Sequence, residues 1–306
     1  MIPKAIIIAG PTASGKTDLA FKIAKKINST IINADSMQVY NDLSILTNRP
    51  DSQKMKGYDC KLFGILSYPD TGSLGWWLSS ATQEINKSIS NSKIPIIVGG
   101  TGLYISGLER EISFIPSINE KVKRKIHLIH KSKGIKFFYE KLKSIDPKTF
   151  QNLTPNDTQR ILRAIEVKLS TGKNITYWKE NSKKTKKFLI KDYLFIILNK
   201  NRAQLYEEID KRFSKMIDMG VIDEIKNFLK KEISDTHPIN KSIGLRHLKN
   251  FLNKKLSLKE AIKFSQKDTR NYAKRQITWF KNQPINPNYI KFEDVEKFIF
   301  EKFMIS

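Results

Sequence analysis

Ala5-Ile6-Ile7-Ile8-Ala9-Gly10-Pro11-Thr12-Ala13-Ser14-Gly15-Lys16-Thr17 decides the fold. A short apolar run of strand formers enters G-x-x-x-x-G-K-[ST], and Leu19, Ala20, Ile23, Ala24 and Ile27 then recur at helical spacing. That strand, loop and helix context is what a phosphate-binding loop requires. Its glycines let backbone N–H groups wrap a phosphate chain, and the following helix offers the positive end of its dipole. Gly10, Thr12, Ala13, Ser14, Gly15, Lys16 and Thr17 are therefore expected to hold a di- or triphosphate. Lys16 would supply a point charge at the terminal phosphate, and the Thr17 hydroxyl a ligand for Mg²⁺.

Working outward, Thr30 to Asp35 reads as a second short strand ending in a carboxylate, and Ile94 to Gly99 as a buried strand breaking into Gly99-Gly100-Thr101-Gly102. A helical pattern from Trp76 to Ile89 separates them. Alternating strands and helices with apolar strands predict an α/β fold: a P-loop NTPase-like parallel sheet flanked by helices. Residues 41–75 read as loop with short pieces of structure. From about Ile115 the chain is lysine-rich and short of strand patterns, which predicts a helical insertion over 114–187 within a core of 1–113 and 188–306. Inside it Thr154-Pro155-Asn156-Asp157 has the form of a helix start, with Gln159 to Ser170 following, and Lys183 to Lys187 reads as a charged loop. Tyr193 to Leu198 returns as a strand. Helices follow at 202–219, 222–231, 241–253 and 257–282, then a strand and helix in 289–305.

The balance of 55 basic and 30 acidic residues gives +25, which suits a polyanionic partner, nucleic acid above all; a lysine-biased proteome would give the same number. One cysteine, Cys60, excludes an internal disulfide and a cysteine zinc site and fits a reducing cytoplasm. No apolar run approaches the ~20 residues of a membrane span, and residues 1–4 show no signal-peptide layout. His127, His130, His237 and His247 lack metal-ligand spacing, and the first two read as surface residues.

At a strand end beside the phosphate loop, Asp35 can coordinate Mg²⁺, accept a proton from a nucleophile, or serve as a structural or capping aspartate. Ser36, Met37 and Gln38 follow it. No acid closes the strand at Gly99, which argues against ATP hydrolysis; Thr101 offers a hydroxyl there, or the turn is only tight. Arg160 and Arg163 share a helix face beside an apolar stripe of Ile161, Ile165 and Leu169, suited to phosphate clamping or to plain solvation. Lys267, Arg270, Lys274 and Lys281 form a basic stripe, opposite a side of Tyr272, Ala273, Gln276, Trp279 and Phe280 that reads as core packing. Arg212 opens a segment, Met216 to Ile225, whose spacing indicates packing.

Residues 10–17, 33–40, 98–104, 156–167, 171–173, 242–246 and 272–280 together resemble the tRNA dimethylallyltransferase family, in the family's order. The resemblance implies transfer of a dimethylallyl group from dimethylallyl diphosphate to N6 of adenine 37, in tRNAs reading codons that begin with U. It implies Mg²⁺ as cofactor and the anticodon stem-loop as partner; beside it, no membrane association, a cytoplasmic location and a monomer are expected. Asp35 falls on the family's general base, Thr101 on a contact to the adenine, and Arg212 on an arginine assisting the diphosphate. RNA contact is implied for Asp35, Ser36, Met37, Gln38, Thr101, Lys123, Gln159, Arg160, Ile161, Leu162 and Arg163. It is implied equally for Lys241, Ser242, Gly244, Arg246, Lys274, Arg275, Gln276 and Lys281. Cys60 stands where many members have a histidine, and 233–240 lacks the usual hydrophobic pattern. Nothing resembles the zinc finger of eukaryotic relatives, so the bacterial type is implied. Two readings remain beside it: a P-loop nucleoside or small-molecule kinase with Asp35 activating a hydroxyl, and a non-catalytic basic RNA-binding protein.

Overall fold

Every residue of Ala5–Ala9 is fully buried, so its backbone needs a paired strand on each side, and the sheet grows outward from it. The computed structural model describes residues 3–110, 112–113, 115–182, 184–185, 192–283 and 288–303. Its first elements are β1 (Ala5–Ala9), α1 (Lys16–Ala24), β2 (Ser29–Asn33), α2 (Ser52–Met55), β3 (Asp59–Lys61), α3 (Leu74–Ser90), β4 (Ile94–Gly99) and α4 (Gly102–Glu109). Next come β5 (Ile112–Ser113), α5 (Glu120–Ile145), α6 (Pro147–Gln151), α7 (Thr158–Thr171), α8 (Ile175–Asn181) and β6 (Lys184–Thr185). The chain continues through β7 (Tyr193–Asn199), α9 (Arg202–Asp218), α10 (Val221–Leu229), a 3-10 turn (Pro238–Lys241), α11 (Leu245–Leu252), α12 (Leu258–Lys281), β8 (Asn288–Lys291) and α13 (Phe292–Phe303).

The chain divides into two compact units, 1–110 with 187–306, and 111–186. In the first, six strands pair in the order β3-β2-β4-β1-β7-β8, all parallel. Register levels the strand ends that matter: Ala9 lies opposite Gly99, and Asn33 opposite Val98. The phosphate loop, Asp35 and Thr101 therefore leave the sheet in one row, the usual ligand edge of an open α/β sheet.

Gly99 is the tightest point of that row. A Cβ there would lie 2.1 Å from the Ala34 carbonyl oxygen, backbone that cannot swing aside. Gly99→Ala is expected to cost about 3 kcal/mol of stability, the upper end for overpacking, read as a lower urea midpoint.

The second unit has its own core of Ile126, Phe138, Leu142, Ile161, Ala164 and Ile165. The breakers act as their chemistry dictates: Gly134 (φ 70) kinks α5, Pro147 opens α6, and Gly172 (φ 72) ends α7. Buried Asp146 accepts from the backbone N–H and hydroxyl of both Thr149 and Thr176, joining α6 to α8.

Several expectations change. The insertion is not wholly helical, since β5 and β6 pair antiparallel, Ile112 opposite Thr185. Of the expected loop at 183–187, Lys184-Thr185 is strand and the rest lies outside the described residues. Helix α7 starts at Thr158 and not at Pro155, because Asp157 takes the Thr154 N–H and hydroxyl and closes a turn first. Leu169 is exposed; Ile161, Ala164 and Ile165 make the stripe. The expected helix at 241–253 begins at Leu245, behind Gly244 with φ 94. Strand β3, inside the expected loop, is an edge strand of three residues whose Asp59 is held by Thr30, Lys61 and Lys93. Burial alone would raise the Asp59 carboxyl; those partners bring it down to about 2.

Candidate functional site

Gly15 (φ 86) caps α1, so Lys16, Thr17 and Asp18 form its first turn, where backbone N–H groups lack intrahelical partners. Upstream, Gly10 (φ 152) and Ala13 (φ 64) bend the loop over that end. The Ser14 hydroxyl is buried without a hydrogen bond. Lys16 Nζ donates to the Pro11 carbonyl at 2.8 Å. Burial pulls the Lys16 ammonium down from its usual range to about 8, against the pull of Asp35, and Arg212 repels it further. The Arg212 guanidinium is lowered by the same desolvation. Two desolvated cations facing one carboxylate leave a net positive charge in poor solvent, which an anion would satisfy.

Two cavities flank these groups. The larger, about 650 Å³, is lined by Gly15, Lys16, Thr17, Gly99, Lys200 and Arg212, with others. The smaller, about 290 Å³, is lined by Ser36, Leu46, Phe213, Met216, Ile243 and Tyr272 among others, with the cations Lys241 and Arg275. Thr12, Asp35, Thr47 and Arg212 belong to both walls. Asp35 is fixed there: its N–H donates to Asn33 Oδ1 and its Oδ1 accepts from the Met37 N–H, each at 2.9 Å. Arg212 Nη2 donates to Thr12 Oγ1 at 2.7 Å. This is a cationic phosphate cradle and a half-apolar chamber sharing one carboxylate.

The expected residues divide. Thr12, Ala13, Gly15, Lys16, Thr17, Asp35 and Arg212 come together at the cradle, and Gln38 lines it as well, whereas Ser14 is fully buried and neither it nor Gly10 lines the wall. Ser36, Met37, Lys241, Ser242 and Arg275 line the smaller chamber. Thr101 lines neither; its hydroxyl accepts from the Ser36 N–H at 2.9 Å and so braces the segment after Asp35. Gly244 is buried against Phe213 and Leu46, and gives the chain its turn into α11. Gln276 is buried with both ends of its amide engaged by backbone, so it does not stand on the exposed face of α12.

On that face Lys267, Lys274 and Lys281 are exposed, whereas Arg270 turns inward to pair with Asp210 of α9. Arg246 is exposed. In the second unit Gln159 and Arg160 are exposed, Leu162 and Arg163 half-buried, and Lys123 pairs with Glu120. Ile161 is fully buried in that unit's core and offers no side chain to a ligand. His127 is less of a surface residue than its spacing suggested, since its Nε2 is buried without a partner. No cluster of three metal-ligating side chains occurs among the described residues. Cys60 packs on the sheet core, away from both cavities, and burial pushes its thiol up to about 11.

Sequence reasoning missed Leu46 and Thr47, which lie in a stretch without periodicity. It read Met216 and Tyr272 as packing, although Phe213 and Met216 sit within one turn of Arg212, a signal that could have found them. Glu224 was also missed. It accepts from the Ile45 and Leu46 N–H groups and the Ser44 hydroxyl, pinning the loop that lines the chamber.

Sheet order, loop and site define a P-loop NTPase-like α/β protein whose cradle is shared with a second chamber. The family profile "IPP transferase" matches residues 38–283, and "Isopentenyl transferase" matches 3–61. The chain is 44% identical over 276 residues to a tRNA dimethylallyltransferase of Pelagibacter ubique (strain HTCC1062), covering 90% of this chain and 88% of the relative. A tRNA dimethylallyltransferase of Wolbachia pipientis subsp. Culex pipiens (strain wPip) is 39% identical over 93% of this chain and 94% of its own. Among solved structures, a tRNA isopentenylpyrophosphate transferase from Bacillus halodurans superposes with a TM-score of 0.67 at 29% identity, over 99% of this chain and 97% of its own. A eukaryotic dimethylallyltransferase acting on tRNA gives 0.74 at 28% identity, over 96% of this chain and 75% of its own. The chain belongs to the tRNA dimethylallyltransferase (IPP transferase) family. These matches support the transferase and neither the kinase nor the passive RNA binder.

Proposed function

We propose that this protein transfers a dimethylallyl group from dimethylallyl diphosphate to N6 of adenine 37, in the anticodon stem-loop of tRNAs reading codons that begin with U. The observation that carries the reading is Asp35 on the wall common to a cationic cradle and a second chamber with Lys241 and Arg275 in its lining. The diphosphate enters the cradle against Lys16 and Arg212. The adenine leaves its stack, at a cost of a few kcal/mol that a basic surface offsets, and enters the chamber. There its N6 forms a bond to the allylic carbon as the carbon–oxygen bond to the diphosphate breaks. The oxygen keeps the electron pair, and Asp35 takes the N6 proton. Its Oδ2, which makes no hydrogen bond among the described residues, is the atom for that step. Arg212, bonded to Thr12, and Lys16 hold the diphosphate charge as it grows.

The donor set suits a hard, oxygen-seeking cation: a Thr17 hydroxyl and the carboxylates of Asp18 and Asp35 line the cradle. Thr17, with the diphosphate's own oxygens, would hold Mg²⁺, which supplies charge neutralisation at the leaving group.

Purified protein with Mg²⁺, dimethylallyl diphosphate and a stem-loop bearing adenine 37 is expected to yield N6-(dimethylallyl)adenosine by nucleoside mass spectrometry. ADP release with a phosphorylated small molecule, and no prenylated RNA, would instead mark a kinase. Lys274→Ala is expected to weaken stem-loop binding uniformly and lower the log–log salt slope by about 1, the signature of one lost phosphate contact. An unchanged slope in a filter-binding titration would remove Lys274 from the RNA face. No helix among the described residues is long and apolar enough to cross a membrane. We take the protein to act as a monomer in the cytoplasm, a reading that rests on the single cysteine and the family.

A further inference from the structure

Gln276 of α12 spans two backbone segments of the site. Its Oε1 accepts from the Thr12 N–H at 2.8 Å, and its Nε2 donates to the Gly100 carbonyl at 2.7 Å. A side chain at position 100 would lie 2.5 Å from that Nε2, so the glycine turn is shaped around the amide. In a phosphate loop the backbone N–H groups face the anion, but here the Thr12 N–H is already spent on protein. The next residue, Ala13, holds φ 64, a conformation that costs a non-glycine residue about 1–2 kcal/mol and persists only when its surroundings enforce it. It packs against the seam of α9 and α12, at Leu205, Ile209 and Ala273. The Thr12 hydroxyl accepts from Arg212 of α9, and α9 is tied to α12 through Arg270 with Asp210 and Gln266 Nε2 with the Asp210 carbonyl. Two helices thus grip the loop at Thr12, one through its amide and one through its hydroxyl.

We propose that Gln276 is a positioning residue that sets the diphosphate-binding shape of the phosphate loop from α12, and that its contribution falls on the diphosphate and not on RNA. This rests on the reading above that the loop takes a diphosphate. Lys274, two residues away, points to solvent, so one helix carries an outward RNA face and an inward brace on the cradle.

The test compares the full-length wild type with Q276L, Q276E and K274A. It measures inorganic pyrophosphate binding with Mg²⁺ by calorimetry, stem-loop binding by fluorescence anisotropy, and KM for each substrate. Q276L strands the Thr12 N–H and the Gly100 carbonyl, and is expected to weaken pyrophosphate binding and raise KM for dimethylallyl diphosphate on the order of 10-fold. Stem-loop affinity should stay within about twofold, with K274A showing the reverse split. Q276E keeps the acceptor for Thr12 but sets a carboxylate oxygen against the Gly100 carbonyl, and should lose more than Q276L. If Q276L fails to fold, Q276E decides by the same split. Amide exchange on the wild type is independent of any variant: Thr12 should be protected before pyrophosphate is added and gain nothing, while Gly15 and Lys16 gain protection. Weakened stem-loop binding with unchanged pyrophosphate binding in the variants, or a Thr12 amide protected only by pyrophosphate, overturns the proposal. A wild type that binds no pyrophosphate overturns the functional reading and the proposal with it; a wild type that binds it, with both variants unaffected, overturns the proposal alone.

Discussion

Asp35→Asn is expected to lower kcat by ~10²–10⁴, the span for a lost general base, while leaving stem-loop affinity within a few-fold. The substitution is close to isosteric. Oδ1 can still accept from the Met37 N–H, and the backbone of residue 35 still donates to Asn33, so the segment should keep its course. What disappears is the proton acceptor and one negative charge. That charge helps keep Lys16 and Arg212 protonated but also repels an incoming diphosphate, so below about pH 7, where a bound anion holds Lys16 charged, its removal should leave diphosphate binding unchanged or tighter. The pattern is therefore a collapse of turnover beside intact binding of both substrates. A kcat within tenfold of the wild type, or stem-loop affinity falling in step with turnover, would deny Asp35 the role of base.

Lys16→Met should lower kcat/KM for dimethylallyl diphosphate by ~10²–10³, the loss usual when one group stabilising developing charge is removed from a dry site. The pH dependence of the wild type carries the same assignment. Because burial lowers the Lys16 ammonium to about 8, the free enzyme loses this cation as pH rises through that value. Values of kcat/KM, which report the free enzyme, should fall above about pH 8. A bound diphosphate raises the ammonium again, so kcat should hold to higher pH. Lys16→Met should abolish that limb of the profile. Stability runs the other way in the ligand-free protein. Between about 8 and the ordinary lysine value of 10.5 the unfolded chain binds more protons than the folded one, so Lys16 adds stability as pH rises through that window. Opposite slopes for stability and for diphosphate capture would identify one group behind both.

The core was legible because its strands are short apolar runs with helical periodicity between them. Buried parallel strands admit little else, so β1, β4 and β7 were found within a residue, while β2 ends at Asn33, two residues before the expected Asp35. Strand β3 was not, because three residues paired at a sheet edge need no hydrophobic pattern. At the site, glycines and charges were visible because their chemistry is local: Lys16, Asp35 and Arg212 all reach the cradle. The chamber was not visible, because its wall is assembled from Leu46, Met216, Ile243 and Tyr272, which only tertiary packing brings together. Gln276 shows the same limit from the other side. Its spacing put it among aromatic neighbours, and nothing local says that a buried amide will find two backbone partners 264 and 176 residues away.

The antiparallel pair β5–β6 bears on how the second unit could have been acquired. Its two strands bring Ile112 and Thr185 abreast, so everything between them leaves and returns through a single doorway. A module with such a doorway can be lengthened, shortened or exchanged for a tight turn without rethreading the sheet. Shortening the chain from Ser113 to Lys184 into a two-residue hairpin would therefore be a conservative edit of the topology, and would leave the sheet with α1 and α9, whose residues line the anion pocket.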